Sequence, residues 1–165
     1  MRKAGSGHAT ATNTIRQAGF APGSLVMLLD ILKGFIPVWL ALKYAPDAWI
    51  VPLTAACVVI GHCWPIFAGF RGGMGLASTG GGLLAASPLA FLIAAAILIL
   101  FTLIIHHSAR ASVIAAILTA PVLWFLGLRG IAFWIALAVG AVIACRFLVD
   151  WNRTYRELWL DREKP

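Results

Sequence analysis

The 165-residue chain is 61% hydrophobic and only 12% charged, with a mean hydropathy of +0.92. A soluble domain is roughly half apolar and a quarter charged, so a water-soluble globule is excluded, and apolar runs of about twenty residues recur as membrane crossings require. The net charge of +7, from 13 Lys/Arg against 6 Asp/Glu, then points to loops beside anionic lipid and away from nucleic acid.

In chain order, residues 1–23 read as a polar, glycine-containing loop closed by Pro22-Gly23. Residues 24–45 form a first apolar run, interrupted by Asp30 and Lys33, and residues 48–70 form a second. Arg71-Gly72-Gly73-Met74-Gly75 follows as a small basic turn. The apolar stretch 76–105 is too long for one crossing of about 20 residues, and Ser87-Pro88 supplies a break. It divides into a short segment, 76–87, and a full one, 88–105. The loop His106-His107-Ser108-Ala109-Arg110, a segment 111–127, a turn at 127–130, a segment 131–149 and a charged tail complete the chain. Cys57, Cys63 and Cys145 lie in or near apolar runs without CxxC spacing and read as buried thiols.

The expected fold is all-α: a single domain over 1–165, a polytopic helical bundle of about six membrane segments, one of them short or re-entrant. Six crossings place Arg2, Lys3, Arg16, Arg71, Arg110, Arg146, Arg153, Arg156, Arg162 and Lys164 on one face, with only Lys43 and Arg129 on the other and Lys33 inside a helix. The positive-inside rule makes the richer face cytoplasmic, in an inner (plasma) membrane. The N-terminal loop, the turn at 71–75, the loop at 106–110 and the tail would meet there.

Several groups in these loops suit anion chemistry, and each has a plainer structural alternative. Gly5-Ser6-Gly7, with Arg16 downstream, offers close-approaching amides, a hydroxyl and a guanidinium fork, or else a flexible loop. Asp30 and Lys33 share a helical face within the membrane, as a functional pair or one that neutralises itself. His62 in Gly61-His62-Cys63-Trp64-Pro65 is a base, a phosphate-orienting group or a structural residue. Arg71, Gly72, Gly73 and Gly75 can cradle a phosphate or make a tight helix–helix turn. His106 and His107 are adjacent, with no third ligand evident, so no metal site is expected. Ser108 and Ser112 read as helix-capping or packing residues.

These pieces, in this order, resemble the bacterial acyl-phosphate glycerol-3-phosphate acyltransferases. Residues 5–16, GSGHATATNTIR, are similar to a family motif like GSGNxGATNxxR. Leu28-Leu29-Asp30-Ile31-Leu32-Lys33-Gly34 and Pro37 match a pattern like LLDxLKGxxP, and residues 61–79, GHCWPIFAGFRGGMGLAST, match one like GHxxPVFxxFKGGKGVAT. Ala109-Arg110-Ala111-Ser112 is a loose counterpart of a serine motif like SLAS. Four departures stand out. His8 replaces an asparagine and Met74 the lysine of GGKG. Of a final motif like RHRENI, residues 146–151 retain Arg146. The family's first membrane helix precedes the GSG motif, and the expectation for this chain is either an in-frame apolar segment upstream or a copy that lacks this helix and has weak stability and activity.

The resemblance implies acyl transfer from acyl phosphate to the 1-hydroxyl of glycerol 3-phosphate, giving lysophosphatidate, with no metal or other cofactor. The implied partners are these two substrates and membrane lipids. By the same resemblance Ser6, Arg16 and His62 are the catalytic candidates. Gly5, Gly7, Asn13, Arg71, Gly72, Gly73 and Gly75 are the candidates for substrate phosphate, and Asp30, Lys33 and Ser112 support them. The alternative is a catalytically degenerate relative that binds lipid phosphate or a partner, to which Met74 is the pointer.

Overall fold

The structure is a computed structural model, and it describes residues 10–152. These residues form seven α-helices: α1 (Ala11–Ala18), α2 (Phe20–Tyr44), α3 (Ile50–Cys63), α4 (Leu76–Ala86), α5 (Pro88–Ile105), α6 (Ser108–Phe125) and α7 (Ile131–Leu148). A 3-10 turn, Ile66–Ala68, follows α3. The spans Phe20–Tyr44, Ile50–Ala68, Pro88–Ile105, Ser108–Phe125 and Ile131–Leu148 are long and apolar enough to cross a membrane. With α4 as the short segment, the expected all-helical membrane bundle is what the chain builds. At 1.5 Å per residue α4 is only ~16 Å long, well short of a ~30 Å hydrocarbon core.

Two expectations are corrected. The stretch 11–22 was expected to be loop. It is helical, because the Thr10 hydroxyl caps α1 by accepting from the Asn13 N–H at 3.2 Å, and Gly19, at φ +97°, turns the chain straight into α2. Pro22 is tolerated there because first-turn N–H groups have no intrahelical partner to lose. The second crossing ends as an α-helix at Cys63, not at residue 70, since Pro65 biases Trp64 away from the helical region. Ser87 is the single residue between α4 and α5, and its Oγ accepts from the Ala90 N–H at 3.2 Å. Pro88 then opens α5, where a missing N–H is harmless.

Glycines let the helices approach at backbone distance. A Cβ on Gly34 of α2 would lie 1.9 Å from the Ser78 carbonyl oxygen of α4, one on Gly81 of α4 2.1 Å from the Ile31 carbonyl oxygen, and one on Gly140 of α7 2.6 Å from the Ala116 carbonyl oxygen. Lipid cannot drive helices together hydrophobically, so such small-residue contacts do that work in a membrane. The pairings Gly34–Ser78 and Gly82–Val38 set α2 and α4 side by side and parallel. Val38, Val59, Leu83, Leu123, Ile135 and Ile143 fill the protein's interior. Leu92, Ile99, Leu100 and Ile104 of α5 face outward, as a lipid-contacting helix requires.

Polar groups collect at one end of the bundle. There the end of α3, the turn at 71–75, the start of α6 and the end of α7 are joined by hydrogen bonds. Toward the opposite end, Lys43 lies over Trp39 and Tyr44, and Arg129 lies over Trp124. Cations stacked on aromatic rings suit a membrane–water boundary.

Candidate active site

Asp30 is buried in the middle of α2. Its Oδ1 accepts from Lys33 Nζ at 2.9 Å, as the i, i+3 spacing predicts, and lies 3.4 Å from His62 Nδ1 in the last turn of α3. The third member was not foreseen, since only helix packing brings His62 to Asp30. An intramembrane carboxylate is costly without such partners. Lys33 keeps about half of its side chain exposed, so its share of the pairing is screened.

The His62 carbonyl accepts from the Gly73 N–H at 3.2 Å, and the Cys63 carbonyl accepts from the Gly72 N–H at 3.1 Å. The turn at 71–75 is thus pinned to the C-terminal carbonyls of α3, groups that a helix leaves unpaired. Gly72 admits no side chain, because a Cβ would lie 2.1 Å from the His62 carbonyl oxygen. Gly75 combines φ +83° with a Cβ position 2.9 Å from Cys63 Sγ.

The amides of Gly72 and Gly73 are thus committed to α3. The N–H groups of Gly75, Leu76 and Ala77, at the start of α4, make no backbone hydrogen bond among the described residues. They stand at the positive end of the helix dipole, where anions bind. Arg71 is exposed. Met74 is buried and belongs to the apolar core, so position 74 offers this turn no polar group.

The turn's buried cation comes from α7. Arg146 Nε donates to the Gly73 carbonyl at 3.4 Å, and Arg146 Nη1 lies 3.2 Å from Asp150 Oδ2. Both residues are buried. Arg110 donates to the Trp151 carbonyl and the Asn152 amide oxygen, each at 3.3 Å, and stacks on the Trp151 ring. His107 caps α6, its Nδ1 accepting from the Arg110 N–H. Sequence reading counted Arg146 and Arg110 among the basic residues of one face and within motif counterparts, and gave neither a partner. The i, i+4 spacing of Arg146 and Asp150 on one helical face was the available sign of their pairing.

The remaining candidates are spread out. Asn13 is buried in α1. Arg16 is in the last turn of α1, half-buried and without an ion pair among the described residues. Ser112 is buried and donates to the Ser108 carbonyl at 2.8 Å. It also lines a partly open apolar cavity of about 130 Å³ between α4, α5, α6 and α7, with Leu76, Thr79, Phe91 and Gly140. Gly5, Ser6, Gly7 and His8 lie outside the described residues.

The glycerol-3-phosphate acyltransferase family model matches residues 1–157. The chain belongs to this family. It is 36% identical over 154 residues to the glycerol-3-phosphate acyltransferase of Aquifex aeolicus, covering 93% of this chain and 80% of that one. It is 39% identical over 120 residues to glycerol-3-phosphate acyltransferase 2 of Thermotoga maritima, covering 73% of this chain and 61% of the relative. Among solved structures, the fold is similar to the glycerol 3-phosphate form of PlsY (YgiH), an integral membrane glycerol 3-phosphate acyltransferase. The TM-score is 0.79 at 36% identity, over 92% of this chain and 76% of that one. The lysphosphatidic acid form of the same acyltransferase gives a TM-score of 0.75 at 35% identity, over 90% and 76%. In this acyltransferase chain, then, the turn bearing Met74 takes its buried guanidinium from another helix.

Proposed function

We propose that the chain transfers an acyl group from acyl phosphate to the 1-hydroxyl of glycerol 3-phosphate, releasing phosphate and lysophosphatidate, with its site loops on the cytoplasmic face of the inner membrane. One observation carries this reading. Leu76 and Thr79, in the first turn of α4, line the apolar cavity, so an anion-ready helix start and an apolar cavity adjoin. That juxtaposition suits an amphiphile with a phosphate head and a hydrocarbon tail. One solved relative is known in a glycerol 3-phosphate form and a lysphosphatidic acid form, which supports the same substrate class.

The chemistry asks little of a nucleophile-activating machine. The glycerol 3-phosphate hydroxyl oxygen attacks the acyl carbonyl carbon, the carbon–oxygen bond to phosphate breaks, and phosphate leaves with the electron pair. The hydroxyl proton passes to the departing phosphate or to a nearby base. Because the donor is already activated, positioning and charge neutralisation supply the rate. In this reading Ser6 and Arg16 bind the phosphate of glycerol 3-phosphate, with Gly5, Gly7 and Asn13 shaping that loop. Arg71 adds charge at the rim, and Gly72, Gly73 and Gly75 let the second turn pack against α3. Asp30, with Lys33, holds His62, whose backbone in turn holds the turn at 71–75 and whose ring is the candidate base. Ser112 forms part of the cavity wall.

The buried thioether of Met74 favours one rival, a relative that binds lipid phosphate without turnover. An assay in vesicles with acyl phosphate and radiolabelled glycerol 3-phosphate separates the two. Labelled lysophosphatidate is the expected product. Retention of both ligands without product establishes the rival.

A further inference from the structure

We propose that the buried Arg146–Asp150 pair is a positioning device for the turn at 71–75, holding from α7 a loop that carries no buried cation of its own; this rests on the acyltransferase reading above. Among the described residues, three hydrogen bonds tie the turn to α3 and α7. The Gly72 and Gly73 N–H groups donate to the last carbonyls of α3, and the Gly73 carbonyl accepts from Arg146 Nε. The first two tie one edge of the turn to α3, and the third ties the Gly73–Met74 peptide to α7. In a trans peptide the carbonyl and the following N–H point in opposite directions. By gripping the Gly73 carbonyl, Arg146 therefore sets the direction of the Met74 N–H and of the amides that follow it into α4.

Asp150 completes the device. A lone guanidinium buried at this depth would seek water or the nearest anion, substrate phosphate included. The carboxylate at 3.2 Å, one helical turn further along, holds the guanidinium on the backbone and offsets its charge. Arg146 then acts through the turn and not as a ligand of substrate. Gly75 reinforces the arrangement, because Ile143 of the same α7 packs where its Cβ would be, at 2.9 Å from that position. The end of α7 thus meets the turn at two adjacent points, one polar and one apolar.

The test uses the full-length protein in lipid nanodiscs. Glycerol 3-phosphate affinity is measured by calorimetry, and KM is measured for both substrates. Arg146→Met should weaken glycerol 3-phosphate binding and raise its KM at least tenfold, while the acyl phosphate KM changes less than threefold. Arg146→Lys, which can still reach the Gly73 carbonyl, should recover most of the loss. Asp150→Asn should also weaken glycerol 3-phosphate, about fivefold, because it frees the guanidinium. If Arg146 contacted the substrate phosphate directly, removing its counter-charge would tighten binding, and that result overturns the proposal. The double variant Arg146→Met/Asp150→Leu removes both members of the pair together and guards against misfolding of the single variants. If it folds and binds glycerol 3-phosphate as the wild type does, the clamp is rejected and the acyltransferase reading stands. A wild type that turns over neither substrate and binds no glycerol 3-phosphate rejects both.

Discussion

His62 Nδ1 stands 3.4 Å from Asp30 Oδ1, so two helices separated along the chain by a whole loop are linked through ionisable side chains inside the bundle. The backbone of the same His62 accepts from Gly73, which puts the Asp30 carboxylate two contacts away from the turn that starts α4. Asp30→Ala removes the acceptor shared by His62 and Lys33. The expected loss is about 1–3 kcal/mol of stability, the penalty for stranding buried polar groups. Thermal unfolding in detergent checks it. Lys33→Ala should cost less, because its ammonium is half-exposed.

Glycine replacements should separate crowded positions from open ones. Gly34→Ala and Gly72→Ala each drive a methyl group into a carbonyl oxygen of the backbone, which cannot rotate aside. Gly34→Ala should part α2 from α4 and lower expression of folded protein. Gly72→Ala should displace the turn and cut kcat/KM for glycerol 3-phosphate at least tenfold, equivalent to ~1.4 kcal/mol. Gly61→Ala is the control, since nothing lies within 4 Å of its Cβ position. Equal effects at Gly61 and Gly72 would remove the steric explanation.

Arg16→Ala should raise the KM for glycerol 3-phosphate roughly ten- to a hundredfold, the value of one charge-assisted contact at ~1.5–3 kcal/mol. The KM for acyl phosphate should stay near that of the wild type. Steady-state kinetics with each substrate varied in turn makes the comparison, and matched changes in both would give Arg16 a structural role.

Met74→Lys should gain little. The side chain at 74 is buried in the apolar core, next in sequence to the carbonyl that Arg146 already holds. A buried ammonium there, beside the Arg146 guanidinium, meets both desolvation and a like charge. The expected outcome is a lower unfolding temperature with kcat/KM within about threefold of wild type, under ~1 kcal/mol. A tenfold rise in turnover would mean that the site lacks a cation.

Cysteine labelling tests orientation. In a background without Cys57, Cys63 and Cys145, Pro46→Cys and Arg129→Cys should react with an impermeant reagent added outside the cell, and His106→Cys, at an exposed position of the opposite end, should not. Labelling at 106 alone would invert the proposed topology.

The membrane bundle was legible in the sequence because it follows from composition alone. Long apolar runs have few other fates, and the break at Ser87-Pro88 is a local backbone rule that acts through proline's missing N–H. The Asp30–Lys33 pair was legible for the same local reason, since i, i+3 neighbours share a helical face. The loop expected over residues 11–22 failed because its polarity hid a short capped helix, Thr10 to Gly19. Tertiary structure alone decided which distant groups meet. No periodicity assigns His62 to Asp30, commits the Gly72 and Gly73 amides to α3, or brings Arg146 to the Gly73 carbonyl. Each depends on how close two elements approach, and at the turn that distance is set by the absence of a Cβ at Gly72, against α3, and at Gly75, against Cys63 and Ile143, a property that becomes specific only when the opposing atoms are in place.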